Sequence, residues 1–184
     1  MGKLPDEFKK LKRIKEPFKR RLYFVAILTK YLKKEKIKPI IVGGNAVEFY
    51  TLGSYATGDI DIVISVPEMV INLLLQWNFK KIGRVWVNEN LDIELDIVSD
   101  ILNGDISKVS EVIVDDLKVY IEGIEDIIID RLNAALWWKS DEDRKWAIFL
   151  LKLYKEKLDK KYLQEQAEKE GLIEFLKEIE NEEI

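Results

Sequence analysis

Two stretches of this chain alternate acidic with aliphatic side chains, and that period of two constrains the fold more than any other feature. Residues 59–65 read Asp-Ile-Asp-Ile-Val-Ile-Ser, and residues 91–98 read Leu-Asp-Ile-Glu-Leu-Asp-Ile-Val. Successive side chains of a strand point to opposite faces, so each stretch predicts a strand with one acidic and one apolar face. On the first, Asp59 and Asp61 share a face while Ile60 and Ile62 pack into the core. On the second, Asp92, Glu94 and Asp96 lie on one side, and Ile93, Leu95 and Ile97 on the other.

The segments around these strands predict helices and short connections. Phe18, Leu22, Val25, Leu28 and Leu32 form one stripe of an amphipathic helix over residues 18–36, which Pro39 ends. Ile40-Ile41-Val42 reads as a short buried strand, Gly43-Gly44 as a tight turn, and residues 45–52 as a helix stopped by Gly53. Pro67 opens another helix to about residue 78. Strands at 85–88 and 91–98 are joined through Glu89-Asn90, and a second hairpin over 111–114 and 117–121 turns at Asp115-Asp116. Beyond Glu125 the chain turns helical: 126–138, then a helix from a capping-box-like Ser140–Asp143 to about 158, one capped by Asp159 and stopped by Gly171, and a last acidic helix. The fold class is therefore α/β (α+β), a mixed sheet with flanking helices, an N-terminal helix and a C-terminal helical tail. Three regions follow: a basic helical arm packed on the core (1–38), an α/β core (39–124) and a C-terminal helical region (125–184).

Composition narrows the chemistry. With no Cys and no His among 184 residues, disulfides, thiolate metal sites, and Ser-His-Asp or Cys-His catalysis are excluded. What remains is carboxylates, Lys, Tyr, Ser/Thr or a bound hard cation, and oxygen ligands favour Mg²⁺ or Mn²⁺ over Zn²⁺. No hydrophobic leader or spanning segment is visible, so the expectation is a cytoplasmic protein with no membrane association. Residues 1–38 hold 14 Lys/Arg against 4 Asp/Glu, a charge of +10, and the remainder holds 16 against 30, or −14. Such asymmetry suits either an arm that binds a polyanion such as RNA, tRNA included, or a salt-bridged helix face. Trp77, Trp86, Trp137, Trp138 and Trp146 fall at scattered positions, which predicts packing rather than base stacking.

Chemistry concentrates where the glycine turn meets the acidic strands. Two carboxylates one strand repeat apart repel each other, and a divalent cation relieves that repulsion. A strand beside the first would add a third acid; Asp96 is chosen because apolar Ile97-Val98 follow it, with Glu94 in reserve. Three such carboxylates suit phosphoryl transfer with two metal ions, one activating the attacking oxygen and one holding the triphosphate. Gly43-Gly44 lets the backbone approach phosphates closely, and the helix that follows presents N–H groups at residues 45–47. Asp-x-Asp and Gly-Gly are each commonplace alone; the order strand, Gly-Gly, helix, polar loop, Asp-x-Asp strand, acidic strand is not.

The stretch Ile41-Val42-Gly43-Gly44-Asn45-Ala46-Val47, continued by Thr57-Gly58-Asp59-Ile60-Asp61-Ile62-Val63, resembles the DNA polymerase β-like nucleotidyltransferase superfamily. Within it the chain is similar to the small prokaryotic branch that includes the AbiEii-type toxins. The match is specific over residues 40–66 and looser to about 150; residues 1–36 and 160–184 lie outside it. The resemblance implies that Gly43, Gly44 and Asn45 hold a nucleoside triphosphate, that Thr57 supports the loop, and that Asp59, Asp61 and Asp96 bind Mg²⁺ or Mn²⁺ and carry catalysis. Arg131 falls where the family often has a Lys near the phosphates. The implied activity is transfer of a nucleoside monophosphate to a hydroxyl of RNA, protein or a small molecule. The chain departs from the pattern at Tyr55, where the family has Arg, and at Gly58, where it has a basic residue; many relatives have Ser at the position of Gly44. Less positive charge there implies weaker triphosphate binding. The alternative is a catalytically weak or inactive module that kept the fold for binding or regulation, such as a toxin partnered by an antitoxin protein.

Overall fold

The computed structural model describes residues 4–181. The chain forms two compact units: the described residues up to Leu102 with Val109–Ile121, and Asn103–Lys108 with the described residues from Glu122 onward.

The first unit is a seven-stranded mixed sheet with helices. Its strands are β1 (Ile40–Ile41), β2 (Ile60–Val63), β3 (Lys80–Ile82), β4 (Val85–Asn88), β5 (Ile93–Ser99), β6 (Ser110–Val114) and β7 (Leu117–Ile121), in the spatial order β3-β4-β5-β2-β1-β7-β6. β2 runs parallel to β5 and antiparallel to β1, while β1 runs parallel to β7; β3-β4-β5 and β6-β7 are antiparallel. The strand carrying Asp61 is thus central, and the acidic strand β5 lies beside it, the adjacency on which a third acid depended. Ile60, Ile62, Ile41 and Leu95 are fully buried.

The unit's helices are α1 (Phe8–Leu11), α2 (Pro17–Leu32), α3 (Gly43–Tyr50) and α4 (Pro67–Gln76). α2 begins where Glu16 accepts 2.8 Å hydrogen bonds from the Phe18 and Lys19 amides, with Pro17 in the first turn. It is not a surface helix with one apolar stripe. Every residue from 21 to 29 is buried, because α2 packs along β7 and β6 while Phe24 meets Phe8, Trp77 and Phe79 at ring-centroid distances of 6.5, 6.3 and 5.3 Å.

Two other differences from the sequence pattern have local causes. Lys80-Lys81-Ile82 carries no strand-like alternation, yet pairs with β4 as an exposed edge strand, where lysines discourage further pairing. Asp92 does not share the strand face of Glu94 and Asp96: it sits in the preceding turn with φ +52°, and its carboxylate pairs with Arg20.

The second unit is helical: α5 (Ile124–Trp137), α6 (Asp141–Leu153), α7 (Lys160–Lys169) and α8 (Ile173–Glu180). Ser140 caps α6 by accepting from the Asp143 amide at 3.2 Å, and Asp159 caps α7 through the Tyr162 amide at 3.1 Å. Gly171, at φ +73°, follows α7 as its stop. α6 ends at Leu153, short of the reach to 158 that the sequence suggested. No helix among the described residues is long and apolar enough to cross a membrane.

Candidate active site

The strand register brings Asp61 and Asp96 together. They are direct partners across the parallel β2–β5 pair, so both carboxylates leave the same face of the sheet. Asp59 lies one residue before β2 and adds its charge from the same side. The consequence falls on Asp61, whose carboxyl is pushed up to about 6, first by burial, then by the negative charges of Asp59 and Asp96. Asp96 itself is only 4% exposed.

The glycine pair, expected from the sequence as a turn before the helix, instead forms the first turn of α3, and it is fitted to this carboxylate. Gly43 has φ +57°, and a Cβ there would stand 2.7 Å from Asp61 Oδ2. The Gly44 N–H donates to the Asp61 carboxylate, which partly offsets its raised proton affinity. A Cβ at Gly44 would come within 3.2 Å of Thr57, and the Thr57 hydroxyl donates to Asp59 Oδ1 at 3.1 Å. Thr57 therefore supports the loop by holding Asp59. Asn45 is fully buried: its amide donates to the Asp59 carbonyl and its oxygen accepts from Arg21 Nε at 3.1 Å. Arg21 completes the support through a buried ion pair with Glu48 at 2.5 Å. Asn45 thus acts on the site by fixing the backbone at Asp59.

Two of these contributors escaped sequence reasoning. Arg21 was legible only as the last of three consecutive cations, Lys19-Arg20-Arg21, at the edge of an apolar helical run. Arg84 follows Gly83, which has φ +61°, in the β3–β4 turn, and its Nε sits 2.9 Å from Asp96 Oδ2. The turn could not be placed because β3 does not look like a strand. Arg84 is also a positive charge that acts against the raised proton affinity of Asp61.

The donor set fits a hard divalent cation: three oxygen-bearing side chains from adjoining strand positions, mutually repelling, beside a turn with no room for a side chain. Arg84 already neutralises part of that charge, and among the described residues no trio of acids is arranged as a finished metal cage. Glu94, the reserve acid, is exposed on the same strand and opposite Val87 of β4.

Arg131 lies in the second unit, on α5, and pairs with Asp143 at 2.7 Å. There it faces a second acidic group. Glu122 and Asp130 are both pushed well above the usual carboxylate range by burial, and Arg131 opposes the rise in each. Asp126 is raised by burial and accepts from the Tyr162 hydroxyl at 2.7 Å and the Asp105 amide at 3.3 Å. Trp77 and Trp86 are buried in the first unit as packing predicts, but Trp137 and Trp138 are 65% and 82% exposed where α5 ends. Part of the basic arm is committed to ion pairs: Lys9 with Asp6, Lys10 with Asp115 and Lys30 with Glu7.

This arrangement defines a class by its fold: a mixed sheet of the nucleotidyltransferase type. Two solved structures are similar to the chain. One is an antigenic nucleotidyltransferase-like protein from Paracoccidioides brasiliensis, 16% identical, with a TM-score of 0.58 over 90% of this chain and 92% of the other. The second is the antibiotic-resistance factor ANT(2'')-Ia, 14% identical, with a TM-score of 0.50 over 85% and 94%. No family model matches the sequence, and no curated protein matches it. The chain therefore has the nucleotidyltransferase fold.

Proposed function

We propose that this protein is a metal-dependent nucleotidyltransferase that moves a nucleoside monophosphate from a nucleoside triphosphate to an acceptor hydroxyl. The observation that carries the reading is the register of Asp61 with Asp96, which crowds two carboxylates beside Asp59 and the glycine turn. Asp59, Asp61 and Asp96 would hold Mg²⁺ or Mn²⁺, which when bound supplies Lewis-acid stabilisation of the triphosphate and of the leaving pyrophosphate. The acceptor oxygen bonds to the α-phosphorus as the bond to the bridging oxygen breaks, and pyrophosphate leaves with that electron pair. Asp96 takes the acceptor's proton. Gly43 and Gly44 keep the approach open, and Thr57 and Asn45 fix the position of Asp59.

The exposed cations of the N-terminal arm, such as Lys12, Arg13, Lys15 and Lys19, favour a polyanionic acceptor such as RNA. We further propose, from the resemblance over residues 40–66, that the chain belongs with the small prokaryotic branch of the superfamily. Incubation with labelled triphosphates, Mg²⁺ and total tRNA tests the reading. The expected result is label transfer that disappears in Asp59→Ala and Asp61→Ala. Tyr55 in place of a basic residue, together with the Arg84–Asp96 ion pair, favours a second reading: a module that binds nucleotide or a protein partner without turnover. Triphosphate binding with no transfer to any acceptor class would select it.

A further inference from the structure

Arg84 joins two facts that do not otherwise belong together. Its side chain is 79% exposed, on a turn between an edge strand and its neighbour, yet it reaches a carboxylate that is 5% exposed. An exposed guanidinium gains little from an isolated surface pair. Here the partner is buried and stands beside Asp61, so a cation at this point screens the Asp59–Asp61–Asp96 group as a whole. The loop before β2, residues 51–58, holds no Lys or Arg. Arg84, as a planar and permanently charged donor, is suited both to a carboxylate and to a phosphate.

We propose that Arg84 is a substrate-binding residue that rests on Asp96 and passes to the triphosphate when a divalent cation takes Asp96. The inference depends on the metal-dependent reading above. At rest, the guanidinium neutralises the buried carboxylate and competes with the cation for it. Once displaced, it stays at the mouth of the acidic site, tethered by the β3–β4 turn, and supplies the anion-binding charge that the loop lacks. One side chain therefore makes nucleotide and metal favour each other's binding.

Two binding measurements on the full chain test this. Mn²⁺ affinity is read by electron paramagnetic resonance without nucleotide, and affinity for the α,β-methylene analogues of ATP and GTP is read by calorimetry with saturating Mn²⁺. Arg84→Gln is expected to bind Mn²⁺ alone at least threefold tighter than wild type, and the analogues about tenfold weaker. Arg84→Lys, which keeps the charge but not the fork, should fall between the two for the nucleotide. Mn²⁺ affinity that is unchanged or weaker in Arg84→Gln overturns the proposal, as does unchanged analogue affinity. If neither wild type nor variant binds Mn²⁺ at millimolar concentration, the metal-dependent reading itself has failed, and that result is distinct from equal, measurable affinities. The melting temperature of the metal-free Arg84→Gln protein shows that the variant is folded.

Discussion

The molecule buries two groups of acids and treats them in opposite ways. Asp59, Asp61 and Asp96 in the first unit sit at strand positions against a turn stripped of side chains, with Arg84 reaching in from an exposed turn. Glu122, Asp126 and Asp130 in the second unit belong to α5 and the residues just before it, with Tyr162 and Arg131 as standing partners. The first group keeps its charge crowded, with Arg84 entering from an exposed turn, which suits exchange with a cation. The second has the Tyr162 hydroxyl donating to Asp126 and the Arg131 charge opposing Glu122 and Asp130, which suits a standing polar cluster. Raised proton affinity alone therefore does not mark a functional site, and neither does a glycine against an acid, since a Cβ at Gly104 would stand 2.3 Å from Asp126 Oδ2; what distinguishes the two is that strand register pairs acids of the first group while the Tyr162 hydroxyl already serves the second.

The largest expected effect breaks the symmetry between them. Asp61→Asn should lower Mg²⁺-dependent transfer by about three orders of magnitude, equivalent to about 4 kcal/mol of transition-state stabilisation. Because it also removes a crowded charge, the metal-free protein should melt no lower than wild type. Asp126→Asn should leave transfer within about threefold. If the second substitution abolished transfer and the first did not, the two groups would have been assigned the wrong way round.

Next in size is a pH effect centred on Glu122 of the second group. Glu122 binds its proton more tightly in the folded chain than in the unfolded one, so the stability it contributes is complete below its ordinary 4.5 and is lost as pH rises through about 8. Glu122→Gln should flatten that loss and leave the protein more stable than wild type at pH 9 by roughly 3 kcal/mol, read from urea denaturation at several pH values. A parallel pH profile in variant and wild type would locate the buried charge elsewhere.

Gly43→Ala sharpens the contrast from the first group's side. The new methyl meets Asp61 Oδ2 at 2.7 Å on a backbone at φ +57°, so a cost of about 2 kcal/mol is expected together with loss of Mn²⁺ affinity. Gly53→Ala, also at positive φ but with open space around it, should lose stability and keep Mn²⁺ affinity. The smallest effect is Tyr162→Phe, which leaves Asp126 short of one donor at a cost of about 1–2 kcal/mol in thermal denaturation, with Mn²⁺ affinity unchanged.

Particular residues show why some of this was readable in the sequence. Ile60, Ile62 and Leu95 alternate with Asp61 and Asp96, and alternation is a direct image of the two faces of a strand, so the central strands and their acids could be placed from local pattern. Gly43 was legible because its conformational freedom is written in the residue type. β3 was not, because two lysines on an edge strand obey the solvent rather than the pattern. The unbroken burial of α2 over residues 21–29 was hidden as well, since periodicity reports one face and says nothing of what covers the other.

The sequence by itself determined the type of chemistry open to this protein: oxygen ligands and carboxylates, since His and Cys are absent, arranged on strands next to a glycine turn. It also carried the mixed α/β class, because the periods that specify strand and helix are local, while the nucleotidyltransferase type was carried by the motif over residues 40–66. Only the tertiary structure decided that Asp96 rather than Glu94 faces Asp61, that Arg84 holds it, and that Asn45 and Arg21 brace Asp59 from within. Those are contacts between residues from 12 to 35 positions apart, fixed by strand register and helix packing, and no local spacing encodes them.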